Sequence, residues 1–371
     1  MAPLDNLLVL DFSALLPGPL ATLFMVDAGA TVLKIERPER GDEMRNYSPS
    51  IGRDSINFIM LNRGKQSLAL DLKEPASKQR LLPLIARADV LIEQFRPGVM
   101  TRLGLGYEEL RKINPRLIYC SITGWGQTGP KSTEPGHDLN FMAETGILGL
   151  SVGSEGAPIL PPVLAGDIAG GTYPALVNIL LALLQREKTG EGRHIDISMS
   201  ENLLPFIYWA LGNAQAFGRW PVPGGETVTG DTPRYQIYKT KDGRHLACAA
   251  LEEKFWANFT EVIGLASELR HEGAEPAAVK AAVAGKIAMR SAADWKKAFS
   301  GIDVCCSIVA SLEEALQNPQ FSERGVFDRT IEAGQRTFAA LPTIISPAMR
   351  SSSVKPSSPG LGEHTDPRFK I

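Results

Sequence analysis

The sequence has few cysteines and histidines, and their scarcity excludes several kinds of site. Its 371 residues include 4 cysteines and 5 histidines. Four cysteines are too few for a disulfide scaffold at this length, and no Cys-x-x-Cys pair of the kind that binds zinc is present. The motifs H-E-x-x-H, Walker A and G-x-S-x-G are absent as well. We therefore expect no metal centre, and we expect Cys305 and Cys306, in the apolar run DVCCSIVA, to lie in a buried strand.

The chain also lacks an excess of either charge and a long apolar run. Its 39 basic and 41 acidic residues give a formal net charge of -2. Nucleic-acid-binding proteins usually carry a basic excess, so no nucleic-acid partner is expected. No run of about 18 apolar residues predicts a membrane span, and the N-terminus lacks the basic segment of a signal peptide. The expectation is a cytoplasmic protein without a membrane partner.

What the first half does contain is a regular alternation of apolar runs and amphipathic stretches. Asn6–Phe12, Thr31–Ile35 and Leu117–Thr123 have the composition of buried strands, and helical stretches such as Leu20–Val26 separate them. Strands that alternate with helices predict βαβ units and a mainly parallel sheet. The fold class expected for this half is therefore α/β.

The second half has a different character. Arg219–Asp231 is rich in proline and glycine, which is typical of a linker. After it, two apolar runs flank the dipeptide Asp242-Gly243, a turn signal that predicts a β-hairpin. Glu253–Ile263 and Pro276–Phe299 are expected to be helical. These features predict a second, smaller α+β domain.

The N-terminal βαβ unit does not fit a dinucleotide site. Its first turn reads LLPGP rather than G-x-G-x-x-G, and Pro17 and Pro19 remove two backbone N–H donors that a pyrophosphate would need. Glu36 does stand where an acid that binds ribose would stand. On balance, no nicotinamide or flavin cofactor is expected.

Basic residues form one set of candidates for a functional site. They cluster in loops at the expected strand ends, where open α/β sheets bind ligands. Such a group suits a ligand with several phosphates, because arginine pairs phosphate oxygens bidentately. The residues are Arg37, Arg40, Arg45, Arg63, Lys65 and Arg96. The alternative for any one of these residues is that it simply lies on the solvent-exposed surface and binds no ligand.

A histidine and two aspartates form the second set. His137-Asp138 lies in EPGHDLNF, after the Gly-containing loop GWGQTGP, which can approach a ligand closely. Asp167 lies in VLAGDIAGG, ahead of a long apolar helix. A lone loop histidine is usually structural, and an aspartate before a helix is often its N-cap. From the residues alone these ordinary roles stay open, and spacing assigns no chemistry to Glu252.

Taken together, these stretches resemble the class III CoA-transferase and α-methylacyl-CoA racemase family, on its racemase-like branch. The resemblance covers almost the whole chain. It is carried, in this order, by VLDFS-x-LLPGP, VLKIERPERGD, LNRGKQSLALDLK, ADVLIEQFRPGVMTRLGLGYEEL, YCSITGWGQTGP, PGHDLNF, GDIAGG and YKTKDGRHLACAALEEKFW.

The resemblance implies a particular architecture. Residues 1–200 would form a Rossmann-like large domain that binds CoA, completed by a C-terminal segment of about residues 330–371. Residues 201–230 would form a linker helix and loop, and residues 231–329 a small α+β domain. Two copies would interlock as a homodimer, with each active site between the large domain of one copy and the small domain of the other.

The resemblance also implies roles for individual residues. His137 and Asp167 would move the α-proton of an acyl-CoA thioester on opposite faces of a planar enolate, as a racemase or epimerase requires. Glu252 would orient His137, and Asp138 would support both. Backbone N–H groups near Asp167 would stabilise the enolate oxygen. The residues implied to hold the substrate and its CoA are Arg37, Arg63, Lys65, Arg96, Gly124 and Gln127. No cofactor is implied, because CoA is part of the substrate.

Two alternatives remain open at this stage. In a CoA-transferase, Asp167 would attack the thioester as a nucleophile and form a mixed anhydride. A catalytically silent CoA-binding protein on the same fold is the other alternative. The segments TGDTPRYQIY and LEEKFW depart from the racemase pattern near the implied acyl pocket, so the acyl group itself is not identified.

Overall fold

The computed structural model describes residues 1–153, 156–271 and 273–366, and its contacts divide them into two compact units. The first unit contains residues 1–145, 161–206 and the described residues from 320 onward. The second unit contains the described residues of 146–160 and 207–319. No signal in the sequence pointed to residues 146–160 as part of the second unit.

The strands and helices of the two units follow in chain order. The strands are β1 (Leu8–Asp11), β2 (Thr31–Glu36), β3 (Ser50–Ile51), β4 (Asp54–Ser55), β5 (Gln66–Ala69), β6 (Val90–Glu93), β7 (Ile118–Thr123), β8 (Arg193–Ser198), β9 (Tyr235–Lys239), β10 (His245–Ala249), β11 (Cys306–Ile308), β12 (Thr330–Ala333) and β13 (Arg336–Ala339). The α-helices are α1 (Pro17–Asp27), α2 (Ile56–Asn62), α3 (Pro75–Ile85), α4 (Val99–Arg102), α5 (Tyr107–Leu110), α6 (Asp138–Glu144), α7 (Ile147–Leu150), α8 (Tyr173–Thr189), α9 (Tyr208–Phe217), α10 (Glu253–Val262), α11 (Pro276–Ile287), α12 (Ala292–Ala298), α13 (Leu312–Leu316) and α14 (Pro319–Glu323). A π-helix covers Gly166–Thr172. The 3-10 helices are Glu43–Asn46, Glu201–Ile207, Thr227–Thr229, Ser267–Leu269 and Pro347–Met349.

Six parallel strands form the main sheet of the first unit, in the order β5-β2-β1-β6-β7-β8. Counted along the chain, this is the strand order of the Rossmann fold, so the predicted Rossmann-like α/β class is confirmed. β1, β6 and β7 are buried along their whole length. Continuous burial is expected of a parallel sheet that is covered on both faces, and it explains why these strands read as unbroken apolar runs.

The LLPGP segment begins a helix and does not form an open turn. α1 starts at Pro17, three residues before the predicted start at Leu20, because the fixed φ of proline suits the first helical position. Every residue of α1 is buried. The hydroxyl of Thr172 donates to the carbonyl oxygen of Pro17 at 2.8 Å, which joins the start of α1 to the π-helix.

The second unit is built on the three-stranded antiparallel sheet β11-β10-β9. β9 and β10 pair around the Asp242-Gly243 turn, so the predicted hairpin and the smaller α+β unit are confirmed. Helices α10, α11 and α12 pack against the sheet around a core that includes Trp256, Phe259 and Trp295.

The cysteine run differs from its prediction. β11 includes Cys306, which is partly buried, but Cys305 precedes the strand and is exposed. Cys305 has a φ of 47°, a left-handed conformation that an L-residue with a side chain rarely adopts. The chain turns at this residue to enter the strand, and that turn places the Cys305 side chain outside the core.

The C-terminal segment returns to the first unit. Its residue Ser357 accepts a hydrogen bond from the backbone N–H of Gly64 at 2.9 Å. His364 donates a backbone bond to Ser67, the second residue of β5, at 3.0 Å. Ile331 of β12 is fully buried in a cluster with Ile59. These contacts cover the β5 edge of the main sheet.

One helical stretch of the described chain, Gly166–Thr189, is long and apolar enough to cross a membrane by length and composition alone. Its residues Ala175, Leu176 and Ile179 are buried in the first unit. Buried helices of globular cores have the same composition. The expected absence of a membrane span therefore stays a prediction.

Candidate active site

A cleft of about 700 Å³ opens at the carboxyl edge of the main sheet. Its lining follows β1, β2, β5 and β6 in the chain, and the strand order reverses between β1 and β6. In sheets of this topology the crevice at the reversal is where ligands bind, and this volume lies in the usual range for small-molecule sites.

The cleft combines an apolar wall with a rim of mixed charge. The wall consists of Leu72, Phe95, Val99 and Leu103. Arg37 follows β2 on the rim, and Lys73, which the sequence did not single out, follows β5. The exposed acids on the same rim are Glu39, Glu43 and Asp71. A flat aromatic base would fit the wall, and phosphates would fit only the part of the rim near the two cations.

Two residues predicted to hold phosphates lie in the interior instead. Arg63 is 2% exposed, and its two terminal nitrogens donate to the carboxylate of Asp27 at 2.6 and 2.7 Å. Lys65 is 3% exposed, and its Nζ lies 3.2 Å from Asp11. A cation that is already paired and shielded in this way cannot meet a ligand. In this structure Arg63 and Lys65 form structural ion pairs, and their burial does not support the predicted role in binding CoA.

The other basic candidates divide between the interior and the surface. Arg45 is 4% exposed and forms a two-pronged pair with Glu36, at 2.7 Å from Nε and 2.8 Å from Nη2. Glu36, the residue in the ribose-binding position of a dinucleotide fold, is therefore used by this pair. Arg37, Arg40 and Arg96 are exposed.

The predicted His-Asp pair stands at the start of α6. His137 is the exposed N-cap residue, and its backbone N–H donates to Oδ1 of Asn140 at 3.0 Å, which fixes the beginning of the helix. Asp138 is 5% exposed, and its Oδ1 accepts the backbone N–H of Asp167 at 3.0 Å. The fold thus brings together two segments that are 29 residues apart in the chain.

Asp167 has an unusual electrostatic environment. Burial and, to a smaller extent, the negative charge of Asp138 raise the pKa of its carboxyl, the charge of His137 lowers it, and the net result is a pKa of about 6. A carboxyl with a pKa near 6 exchanges its proton close to neutral pH, which an ordinary aspartate does not. Perturbed pKa values of this kind are enriched at functional sites.

The π-helix Gly166–Thr172 holds Asp167 at its start, and close packing fixes this helix. A side chain at Gly170 would collide with the backbone carbonyl of Met199. The carbonyl of Gly170 accepts a hydrogen bond from the side chain of Asn202 at 3.0 Å. Single π-helical turns occur frequently at functional sites, and this one carries the carboxyl group of Asp167.

The backbone N–H groups nearest the acid are already used. That of Asp167 donates to Asp138, and that of Ile168 donates to the carbonyl oxygen of Leu164 at 3.0 Å. The expected oxyanion donors near Asp167 therefore do not include these two groups.

The loop after β7 provides other donors. Gly124 must be glycine here, because a side chain would collide with the ring of Phe141 from α6. Trp125 packs its ring edge against the same Phe141 ring, with centroids 5.2 Å apart. Among the described residues, Nε1 of Trp125 and Nε2 of Gln127 are buried without a hydrogen-bond partner. Sequence reasoning selected Gln127 but missed Trp125.

Glu252 belongs to the second unit, where it is exposed and caps the start of α10. Its carbonyl oxygen accepts the backbone N–H groups of Phe255 and Trp256 at 3.1 and 3.0 Å. The neighbouring Arg234 donates to the carboxylate of Glu253 at 2.6 Å. The carboxylate of Glu252 has no role in these contacts and is displayed to solvent in this unit.

Among the described residues, no group of three or more histidine, cysteine, aspartate or glutamate side chains is placed to bind a metal ion. The expected absence of a metal stays a prediction.

Comparison with known proteins identifies the family of the chain. The model of a family described as CoA-transferase family III matches residues 4–365. The chain is 36% identical to the acetyl-CoA:oxalate CoA-transferase of Acetobacter aceti, over 97% of this chain and 93% of that protein. It is also 36% identical to the α-methylacyl-CoA racemase of Mus musculus, over 96% of this chain and 90% of that protein. The crystal structure of a CaiB/BaiF family protein from Brucella suis matches with a TM-score of 0.83 at 30% identity, over 98% of this chain and 97% of that chain.

Proposed function

Since the chain belongs to CoA-transferase family III, we propose that it acts on the acyl part of a CoA thioester, and that its reaction is racemisation at the carbon next to the thioester carbonyl. The observation that carries this proposal is the environment of Asp167. Its pKa of about 6 suits a group that must take up and release a proton, and the imidazole of His137 lies within electrostatic reach.

Racemisation needs two acid/base groups because the proton leaves one face of a planar enolate and returns to the other. Asp167 and His137 begin two different helices of the first unit, and either can supply one face. Asp138 raises the pKa of Asp167, and it directly follows His137 at the start of α6. Proton transfer of this kind uses no cofactor beyond the CoA that the substrate already carries.

CoA transfer is the second candidate. It is favoured by a specific observation: the identity to an oxalate CoA-transferase equals that to a racemase. In that reaction the Asp167 carboxylate would attack the thioester carbonyl, form a mixed anhydride and release CoA as a thiolate. The thiolate would then attack the Asp167 carbonyl, release the first carboxylic acid and leave an enzyme–CoA thioester. The second carboxylate would attack this thioester to form a new anhydride and free the thiolate, which would attack the new acyl carbonyl to give the second acyl-CoA and regenerate Asp167. A raised pKa hinders this role at mildly acid pH, since only the ionised carboxylate is the nucleophile.

Isotope exchange separates the two reactions. One enantiomer of a 2-methylacyl-CoA, incubated with the protein in deuterated water, should gain deuterium at the α-carbon and lose optical purity. His137→Ala should suppress exchange from one enantiomer more than from the other. CoA exchange with added carboxylic acids, without α-deuteration, would establish the transferase instead. Binding of CoA with neither reaction over a broad acyl panel would indicate a silent binding protein.

The cleft at the carboxyl edge is the proposed CoA site. Its apolar wall suits the adenine ring, and Arg37 and Lys73 suit the phosphates. Arg37→Ala should weaken CoA binding in calorimetry. Arg40→Ala is the matched control, because Arg40 is an exposed arginine of the same loop that does not line the cleft. Equal affinities in both variants would reject this placement.

A homodimer is proposed on the resemblance and on one exposed face of α8. Tyr173, Val177, Leu181 and Leu184 recur at helical spacing and are 38%, 53%, 58% and 65% exposed. A second copy of the chain would bury this stripe. Leu181→Glu should yield monomers in analytical ultracentrifugation, and a wild-type chain that is already monomeric would refute the dimer.

The resemblance places Glu252 in a site shared between copies, and complementation tests that proposal. His137→Ala and Glu252→Gln chains, co-expressed with different tags and purified as mixed dimers, should regain about half of the wild-type activity, since one of two sites then holds both intact residues. Mixed dimers that stay as inactive as either parent would place both residues of a site in one chain.

A further inference from the structure

Two cysteines of the second unit face each other across its antiparallel sheet. The register pairs Cys248 of β10 with Cys306 of β11. On one side of this pair, the N–H of Ala249 donates to the carbonyl oxygen of Cys305 at 3.0 Å. Hydrogen-bonded and non-hydrogen-bonded pairs alternate along such a ladder, so Cys248 and Cys306 occupy a non-hydrogen-bonded pair, in which Cα atoms lie about 4.5 Å apart.

This spacing satisfies the first requirement for a disulfide, whose Cα atoms are usually separated by roughly 4.4–6.8 Å. The side chains of a directly opposed pair project from the same face of the sheet and lie close together. The Cys306 thiol donates to the carbonyl oxygen of Val304 at 3.2 Å and the Cys248 thiol to that of Arg234 at 3.6 Å, and the two thiols influence each other, which lowers the pKa of Cys248 and raises that of Cys306. Hence the two sulfur atoms can bond without a shift in strand register.

Access to the pair is asymmetric. Cys248 is 3% exposed, whereas Cys306 is partly exposed at the start of β11 and its neighbour Cys305 is exposed. A small oxidant therefore reaches the pair from the Cys306 side. Cys305 supplies a natural control, because it is more accessible than either partner but its opposite residue is Ala249.

We propose that Cys248 and Cys306 are a modification site at which a hydroperoxide forms a reversible cross-strand disulfide. One sulfur attacks the peroxide oxygen and becomes a sulfenic acid, while the peroxide O–O bond breaks and one water is released for hydrogen peroxide. The second thiol then attacks the sulfenic sulfur, loses its proton and expels a second water. Overall, two thiols are oxidised, one hydrogen peroxide is reduced to two waters, and a dithiol reductant reverses the change.

Peptide mapping of the full chain tests the bond. After treatment with hydrogen peroxide, blocking of free thiols and non-reducing tryptic digestion, the peptides 245–254 and 298–324 should appear joined, with the loss of two hydrogens, and dithiothreitol should separate them. Cys305→Ser should keep this link. Cys248→Ser and Cys306→Ser should abolish it. A link that survives in Cys306→Ser, or oxidation that stops at sulfinic acid without a link, would overturn the proposal.

Thermal unfolding gives a second measurement that does not depend on mapping. Because the bond ties β10 to β11 over a long stretch of chain, peroxide treatment should raise the melting temperature of the Cys305→Ser protein by roughly 5 °C, reversibly with dithiothreitol. Cys305→Ser combined with Cys248→Ser should show no rise. Equal shifts in the two proteins would mean that another oxidation product is responsible and would overturn the proposal.

Discussion

The first unit contains two groups of acidic residues that differ in whether a basic side chain is paired with them. Asp11, Asp27 and Glu36 lie in the interior, and each is paired with a lysine or arginine. We call these the interior ion pairs. Asp138 and Asp167 lie together at the start of two helices, joined by a hydrogen bond from a backbone N–H, and no ion pair compensates them among the described residues. We call these the acidic pair.

The pKa values of the two groups differ accordingly. Burial alone would raise the pKa of Asp11, but Lys34 and Lys65, together with hydrogen bonds from the hydroxyls of Ser13 and Thr22, outweigh burial and lower the pKa to about 2. Asp167 is partly buried and has no cation paired with it in the described part of the chain; burial and the charge of Asp138 outweigh the opposing charge of His137 and raise its pKa to about 6. An ion pair keeps a buried carboxylate ionised and stabilises the fold. A buried carboxyl without such a partner gains and loses its proton near neutral pH.

The largest effect should come from removing the acid of the acidic pair. Asp167→Asn keeps the shape of the side chain but cannot accept a proton, so the turnover number for α-deuteration should fall by about 10²–10⁴-fold. Deuterium incorporation followed by mass spectrometry measures this directly. Asp303→Asn, which changes an exposed aspartate of the second unit, should leave the rate unchanged. A rate within a few-fold of wild type for Asp167→Asn would end the assignment of this residue as an acid/base group.

An interior ion pair should instead determine stability. Asp27 accepts hydrogen bonds from Arg63, Arg329 and Thr343, and Asp27→Asn would leave the buried Arg63 without its counter-charge. We expect a loss of about 3–5 kcal/mol in the free energy of unfolding, measured by urea denaturation. The matched control is Asp303→Asn, because the pair of Asp303 with Lys254 is equally short but exposed, and exposed pairs add little. Similar losses in both variants would contradict the distinction between interior and surface pairs.

The comparison also explains how far sequence reasoning could go. The unbroken apolar runs of β1 and β7 predicted a parallel sheet correctly, because burial on both faces leaves a local signature. The basic cluster was misread in part: Arg63 and Lys65 look like phosphate ligands until the fold places Asp27 and Asp11 beside them. A pairing between residues far apart in the chain has no local signature.

The candidate site shows the same limit. His137 and Asp167 were selected with the help of the family pattern, whereas the hydrogen bond that joins the segment of Asp167 to Asp138 depends on the tertiary structure. Trp125 was missed because an aromatic residue after a strand normally predicts core packing. Its unpartnered N–H becomes visible only when the surrounding acceptors are counted.

Removal of the Asp167 carboxyl, which should lower activity, should raise the free energy of unfolding. The pKa of Asp167 is higher in the folded chain than its ordinary value of 3.8, so the folded state holds its proton more tightly and loses stability as pH rises from about 4 to about 6. Asp167→Asn has no such group. Its unfolding free energy should exceed that of wild type by about 1–3 kcal/mol at pH 8, and the excess should fall to about 0.5 kcal/mol or less at pH 4. Urea denaturation at both pH values measures the difference. An excess that is independent of pH would attribute the gain to packing and not to charge.

The smallest expected effect comes from substitutions of Asp138 that distinguish the contribution of its charge from that of its hydrogen bond. Asp138→Asn keeps an oxygen that can accept the N–H of Asp167 but removes the negative charge that helps to raise the pKa of Asp167. The acid limb of the rate against pH should therefore move to lower pH, by up to about one unit, which corresponds to ~1.4 kcal/mol. Asp138→Ala removes the acceptor as well, so it should also reduce the plateau rate. If the limb of Asp138→Asn stays where it is in wild type, the group that titrates is not Asp167, and the acidic pair is not what sets its proton affinity.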